Sequence, residues 1–150
     1  MALFDTMSIP REPSYTAPDG SHVRLLLELE AGGFAHFELP ARTVSVAVMH
    51  RTVEEIWYVV GGRGEMWREQ EGREEIVALE PGICLTIPAG AKFQLRSLGE
   101  DPLAAIAVTM PRWPGSQEAV EVQGKWTPTA PGQSPGTGVE MGDAHKGPDP

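Results

Sequence analysis

Between Ser21 and Met110 apolar and polar side chains alternate with a period of two, and short glycine- and proline-containing turns interrupt the pattern. Val23, Leu25, Leu27 and Leu29 share one parity, as do Val44, Val46 and Val48. Further strand-like runs lie at 34–38, 55–60, 65–68, 74–79, 83–87, 93–96 and 103–110. Between them stand Gly32-Gly33, Gly61-Gly62, Pro81-Gly82, Pro88-Ala89-Gly90 and Gly99-Glu100-Asp101-Pro102. Successive side chains of a strand point to opposite faces, so alternation marks a sheet with one buried face. About nine short strands at this spacing, with no helical period, predict an all-β sandwich or barrel. At 56–60 both faces are apolar: Trp57 and Val59 point one way, Ile56, Tyr58 and Val60 the other. Such a strand needs a cover outside its own barrel, which the N-terminal arm or a second subunit could supply, and a homodimer is the expectation.

The flanks read differently. Residues 1–20 carry Pro10, Pro13 and Pro18 without a clear period and read as an irregular arm. The barrel is expected over 21–113, and 114–150 reads as a flexible Pro/Gly-rich tail. From Pro128 to Pro150, 10 of 23 residues are Pro or Gly, too few apolar groups to offset the entropy of ordering. Val120, Val122 and Trp126 are the tail residues expected to pack back on the barrel.

Charge and composition exclude several function classes. The formal net charge of −9, without a Lys/Arg cluster, opposes binding to nucleic acid or to an anionic membrane surface. No apolar run approaches the length of a membrane span, and the first residues lack the basic and apolar segments of a secretory signal. A cytoplasmic location is the expectation. Cys84 is the single cysteine, so no internal disulfide forms, and a small core position is expected for it. No Gly-x-Ser-x-Gly elbow and no phosphate-binding Gly-x-x-x-x-Gly-Lys loop occurs.

Two motifs carry the chemistry. His50 is followed after four residues by Glu55 and after six more by Gly62, within Glu55-Ile-Trp-Tyr-Val-Val-Gly-Gly-Arg-Gly64. Later come Gly82, Pro88 and Gly90, then a closing strand and turn at 93–103. In this order and spacing the chain resembles the cupin superfamily over about residues 21–110. The resemblance implies a single double-stranded β-helix, or jelly-roll, barrel with a small-molecule pocket. It also implies a metal site of three His and one Glu. Here that set is incomplete. Val48 and Phe93 stand at two of the His positions, Ser97 at a following Asn, and Arg42 at the first motif glycine. His50 and Glu55 remain. Glu54 with Gly61 satisfies an alternative spacing, but alternation puts Glu55 on the inward face with Trp57 and Val59.

Two ligands hold a divalent metal poorly, since open catalytic sites take three or more protein donors. No cofactor is therefore expected. A metal would need His50, Glu55 and an unforeseen third ligand, with His36 the one remaining histidine in a predicted strand. A His beside a Glu in an apolar pocket suits proton transfer: burial raises a carboxyl pKa and lowers an imidazole pKa, mutual attraction works the other way, and the balance lets either group titrate near neutrality. The expected site is His50 and Glu55 as a catalytic pair, with Trp57, Phe93 and Val48 against the substrate. Three functions stay open: a metal-independent isomerase, epimerase, cyclase or lyase; a non-catalytic ligand-binding or regulatory barrel; and a metal-dependent, dioxygenase-like enzyme. The alternative for His50 and Glu55 is a relic pair without chemistry, and for Trp57 and Phe93 plain core packing.

Overall fold

The computed structural model describes residues 2–129. Among them are eleven β-strands: β1 (Tyr15–Thr16), β2 (His22–Leu29), β3 (Gly32–Leu39), β4 (Val48–His50), β5 (Glu54–Gly61), β6 (Gly64–Gln70), β7 (Arg73–Leu79), β8 (Cys84–Ile87), β9 (Lys92–Ser97), β10 (Leu103–Met110) and β11 (Ala119–Glu121). No helix among the described residues is long and apolar enough to cross a membrane. The strands form a six-stranded sheet, β1-β2-β3-β10-β5-β8, and a five-stranded sheet, β11-β4-β9-β6-β7. Every pairing is antiparallel. The chain crosses repeatedly between two facing sheets, which is the double-stranded β-helix, an all-β jelly-roll barrel.

Alternation explains which side chains fill the interior. Along β5 Glu55, Trp57 and Val59 are buried, while Glu54, Ile56, Tyr58 and Val60 are exposed. Register carries this across the sheet: Thr109, Ala107 and Ala105 of β10 lie opposite Glu55, Trp57 and Val59. The same three residues face Gly33, Ala35 and Phe37 of β3. One end of the barrel is closed by Leu39, Val59, Met66, Leu79, Leu95 and Leu103, all buried in one cluster. Each such side chain contributes about 1.5–3 kcal/mol through burial.

Turn chemistry fixes the connections. Glu71 (φ 48°) and Gly72 (φ 83°) form a two-residue hairpin whose twist matches the flanking β6 and β7. A Cβ on Gly64 would lie 2.2 Å from the Arg96 carbonyl oxygen, so only glycine lets β6 pass so near β9. Arg42 adopts φ 56°, a left-handed conformation at the position where the cupin pattern has glycine.

Two readings of the sequence need correction. Cys84 is exposed on the outward face of β8, because Leu85 and Ile87 take the inward parity. The alternation at 44–48 does not make a full strand. Val44 forms only an isolated bridge to Arg96, and the next backbone amides bond to Leu95 O and Asp19 O, so pairing resumes at Val48. The flanks also take part in the sheets. Sheet pairing continues outside 21–113, since β1 pairs β2 within the arm and β11 pairs β4. Buried Gln94 explains the second extension. Its amide donates to Ser45 O and Trp126 O and accepts from the Lys125 and Trp126 amides. Trp126 then lies under the Arg96 guanidinium at 4.3 Å. The rest of the segment expected to be flexible, 130–150, and His145 within it, lie outside the described residues.

Candidate functional site

The end of the barrel opposite the leucine cluster is hollow. A cavity of about 1060 Å³ opens there, lined by His50, Glu55, Trp57, Phe93, Val48 and, among others, Phe37, Asp19, Thr109 and Trp113. The hollow follows from sequence. On β3 and β10 the inward positions at this end are Gly33, Ala35, Ala107 and Thr109, too small to reach the facing sheet. The space over Ala107 and Ala35 admits the Trp57 ring, which stacks on Phe37 at 4.9 Å with 8° between planes. The arm of residues 2–9 borders the mouth, where Leu3 and Phe4 line the cavity with 86% and 101% of their surfaces still exposed. Arg24 holds the following turn by donating to Pro10 O and Arg11 O.

All five residues expected from the sequence thus border one space. His50 and Val48 lie two apart on β4, and Val48 is the register partner of Phe93 on β9. His50 meets Phe93 edge-on at 5.2 Å and Trp113 at 4.9 Å. Its Nδ1 lies 3.9 Å from Glu55 Oε2. The other Glu55 oxygen, Oε1, accepts a 2.7 Å hydrogen bond from Trp57 Nε1. His36 does not reach this space. It sits on β3 opposite Arg24 and Ile106, and burial lowers its pKa against the pull of Glu38.

Burial pushes the Glu55 carboxyl up to about 7, the Trp57 hydrogen bond opposes this, and the charges of Asp19 and Glu118 add to the rise. Asp19 is itself raised by burial, against the hydrogen bonds it accepts from Ser21. A buried carboxyl with a raised pKa and an imidazole nitrogen 3.9 Å away form a pair of titratable groups in a cleft, the kind of arrangement that general acid–base chemistry uses.

The sequence did not reveal four of the residues that shape this site. Asp19 lies in a turn without a motif. Trp113 follows the last long strand, flanked by prolines, where an aromatic residue carries no period. Phe37 has inward parity in its strand, but no motif marks it as part of the site. Glu118 lies behind the site. Its Oε2 accepts from the Thr52 and Val53 amides at 2.6 Å each and its Oε1 from the Thr52 hydroxyl, fixing the turn between β4 and β5.

The donor set does not fit a tightly held metal. Among the described residues no three of His, Cys, Asp and Glu gather in a metal-holding group. Val48 and Phe93 fill two positions with carbon, and one Glu55 oxygen is engaged by an indole N–H.

The cupin domain family profile matches residues 35–109, which is half of the sequence, and the chain belongs to the cupin domain family. Solved structures resemble it in fold. Oxalate decarboxylase from Bacillus subtilis aligns with a TM-score of 0.66 at 16% identity, over 81% of this chain and 33% of that one. The capsular polysaccharide assembling protein CapF from Staphylococcus aureus gives 0.61 at 16%, over 73% and 34%. A double-stranded β-helix protein from Klebsiella pneumoniae gives 0.56 at 14%, over 83% and 99%. The chain therefore spans about a third of the length of the first two. No protein of curated function matches the sequence.

Proposed function

We propose that the open end of the barrel binds a small molecule and that His50 and Glu55 move a proton on it without a metal. The reaction class is that of isomerases, epimerases, cyclases and lyases. The observation that carries this reading is the buried pair itself: Nδ1 and Oε2 3.9 Å apart in an apolar cavity, with the carboxyl titrating near 7. A general acid–base group works best when its pKa lies near the working pH, and burial supplies that here. Trp57 holds Glu55 by Oε1, which leaves Oε2 for the reacting proton. His50 takes or returns that proton. Val48 and Phe93 exclude water around the reacting atoms.

The test is hydrogen exchange. Candidate substrates with an acidic C–H are incubated with the protein in heavy water, and deuterium entry is followed by NMR. Exchange that falls by about 10²–10⁴ in Glu55→Gln and in His50→Asn, and that survives chelator, supports the reading. Exchange that persists in both variants, or vanishes with chelator, contradicts it. A second reading, a non-catalytic binding barrel, draws on the mostly apolar lining and the engaged Oε1. It gains if a ligand is found whose C–H bonds never exchange.

We also propose a homodimer. Ile56, Tyr58 and Val60 leave 42%, 47% and 43% of their surfaces exposed as a stripe on β5, and partly exposed Phe34 on β3 lies across β10 from it. A stripe of this kind is covered in most monomers, and a second copy supplies the cover. Light scattering decides: Tyr58→Glu converts a dimer to a monomer, and a wild-type monomer contradicts the proposal.

A further inference from the structure

The charges around the cavity have one sign. Asp5, Asp19, Glu28 and Glu55 line it, and among the described residues no lysine or arginine does. One cation pairs with a lining carboxylate, and two others are engaged away from the lining. Arg112 sits 3.4 Å from Glu28 with its side chain 49% exposed, Arg24 bonds the arm and Glu38, and Arg51 donates to Gln117 O. Aromatic rings form part of the wall: Phe37 stacked on Trp57, with Phe93 and Trp113 edge-on to His50. A ring face attracts cations, and a desolvated carboxylate attracts them more strongly. A nucleoside diphosphate or a carboxylic acid entering this space would bury a negative charge beside Glu55 and Asp19 with only the His50 imidazole to offset it, which is costly.

We propose that the cavity selects an amine: a planar, apolar body carrying a protonated nitrogen, seated against Glu55 between the rings of Trp57, Phe93 and Trp113. This rests on the reading of the cavity as a small-molecule site. The cation takes over the compensation that Glu55 lacks when the cavity is empty. Glu55 faces Asp19 from the loop before β2, Glu118 from the loop before β11, His50 from β4 and the Trp57 indole on its own strand. Only His50 among these can oppose an incoming cation. Binding the amine ionises Glu55, so below pH 7 each complex formed releases a proton.

Three indoles of one size and different charge test this on the full chain: tryptamine, tryptophol and indole-3-acetate. Binding is measured by calorimetry and by the indole N–H signals of Trp57 and Trp113. At pH 8 tryptamine is expected to bind at least about tenfold more tightly than tryptophol, with indole-3-acetate weakest. Tryptamine affinity falls about tenfold per unit as pH drops below 7, and tryptophol affinity does not. Glu55→Gln removes that pH dependence and most of the preference for the amine. Asp19→Asn reduces the preference by a smaller factor and serves if the first variant unfolds. Indole-3-acetate binding as tightly as tryptamine, or tryptophol equalling it, overturns the charge assignment but keeps the small-molecule cavity. No shift of either indole signal with any of the three overturns both.

Discussion

The two ends of this barrel are built from the same strands and behave as opposites. At one end Leu39, Leu79, Leu95 and Leu103 meet in the middle and exclude water. At the other, Gly33, Ala35, Ala107 and Thr109 hold the same inward parity and leave about 1060 Å³ unfilled. Alternation sets which residues face inward, and side-chain volume along each strand sets where the barrel is solid. Along β5 the change takes four residues, from Val59 in the packed end to Glu55 in the cavity. The packed end supplies the stability that lets the open end hold a buried acid.

The largest effect expected from breaking this division is at the packed end. Leu95→Ala should cost about 3–5 kcal/mol of stability in urea unfolding, because a fully buried leucine leaves a cavity that its neighbours cannot fill. Its effect on ligand affinity in the surviving folded protein should be small.

Next comes the open end, where the effect depends on pH. The folded Glu55 carboxyl titrates near 7 and an unfolded one near 4.5, so the folded state holds the proton more tightly between these values. Stability contributed by this group is complete below 4.5, is lost as pH rises to 7, and stays lost above. The loss amounts to roughly 3 kcal/mol. Glu55→Gln keeps an oxygen for the Trp57 N–H and removes the titration. It should therefore be stabilised relative to the parent at pH 8 and lose that advantage at pH 4.5. Equal pH profiles for the two proteins would contradict a buried, raised acid at the open end.

Smaller effects sharpen the boundary between the ends. Glu118→Gln loses the charge that binds the Thr52 and Val53 amides, and should cost about 2 kcal/mol in thermal or urea unfolding. Because that turn carries the chain from His50 into Glu55, ligand affinity should fall with it. Arg42→Gly relieves a left-handed backbone, and should stabilise the protein by up to about 1 kcal/mol without touching the site.

Much of the fold was legible because alternation is a local signal. The parity of Glu55, Trp57 and Val59 follows from their spacing alone, and the structure buries all three with Glu54 outside. The motif positions likewise pointed to Val48, His50 and Phe93, which the structure brings to one cavity. Cys84 misled because a thiol is read as core by type, whereas its parity in β8 opposes that of Leu85 and Ile87. The contributions of Asp19, Trp113 and Glu118 were illegible for another reason. Each lies in a loop that reaches the site by tertiary hydrogen bonds or ring packing, and neither leaves a period in sequence. Gln94 belongs with them. Its amide bonds Ser45, Lys125 and Trp126, and nothing in the local sequence marks those distant partners.

The account is tested most directly by following the Glu55 side-chain carboxyl carbon by NMR from pH 4 to pH 9, assigned against Glu55→Gln. A midpoint near 7 is expected, moving downward when tryptamine is added. A midpoint below 5, where an exposed carboxylate titrates, would contradict a buried acid at the open end.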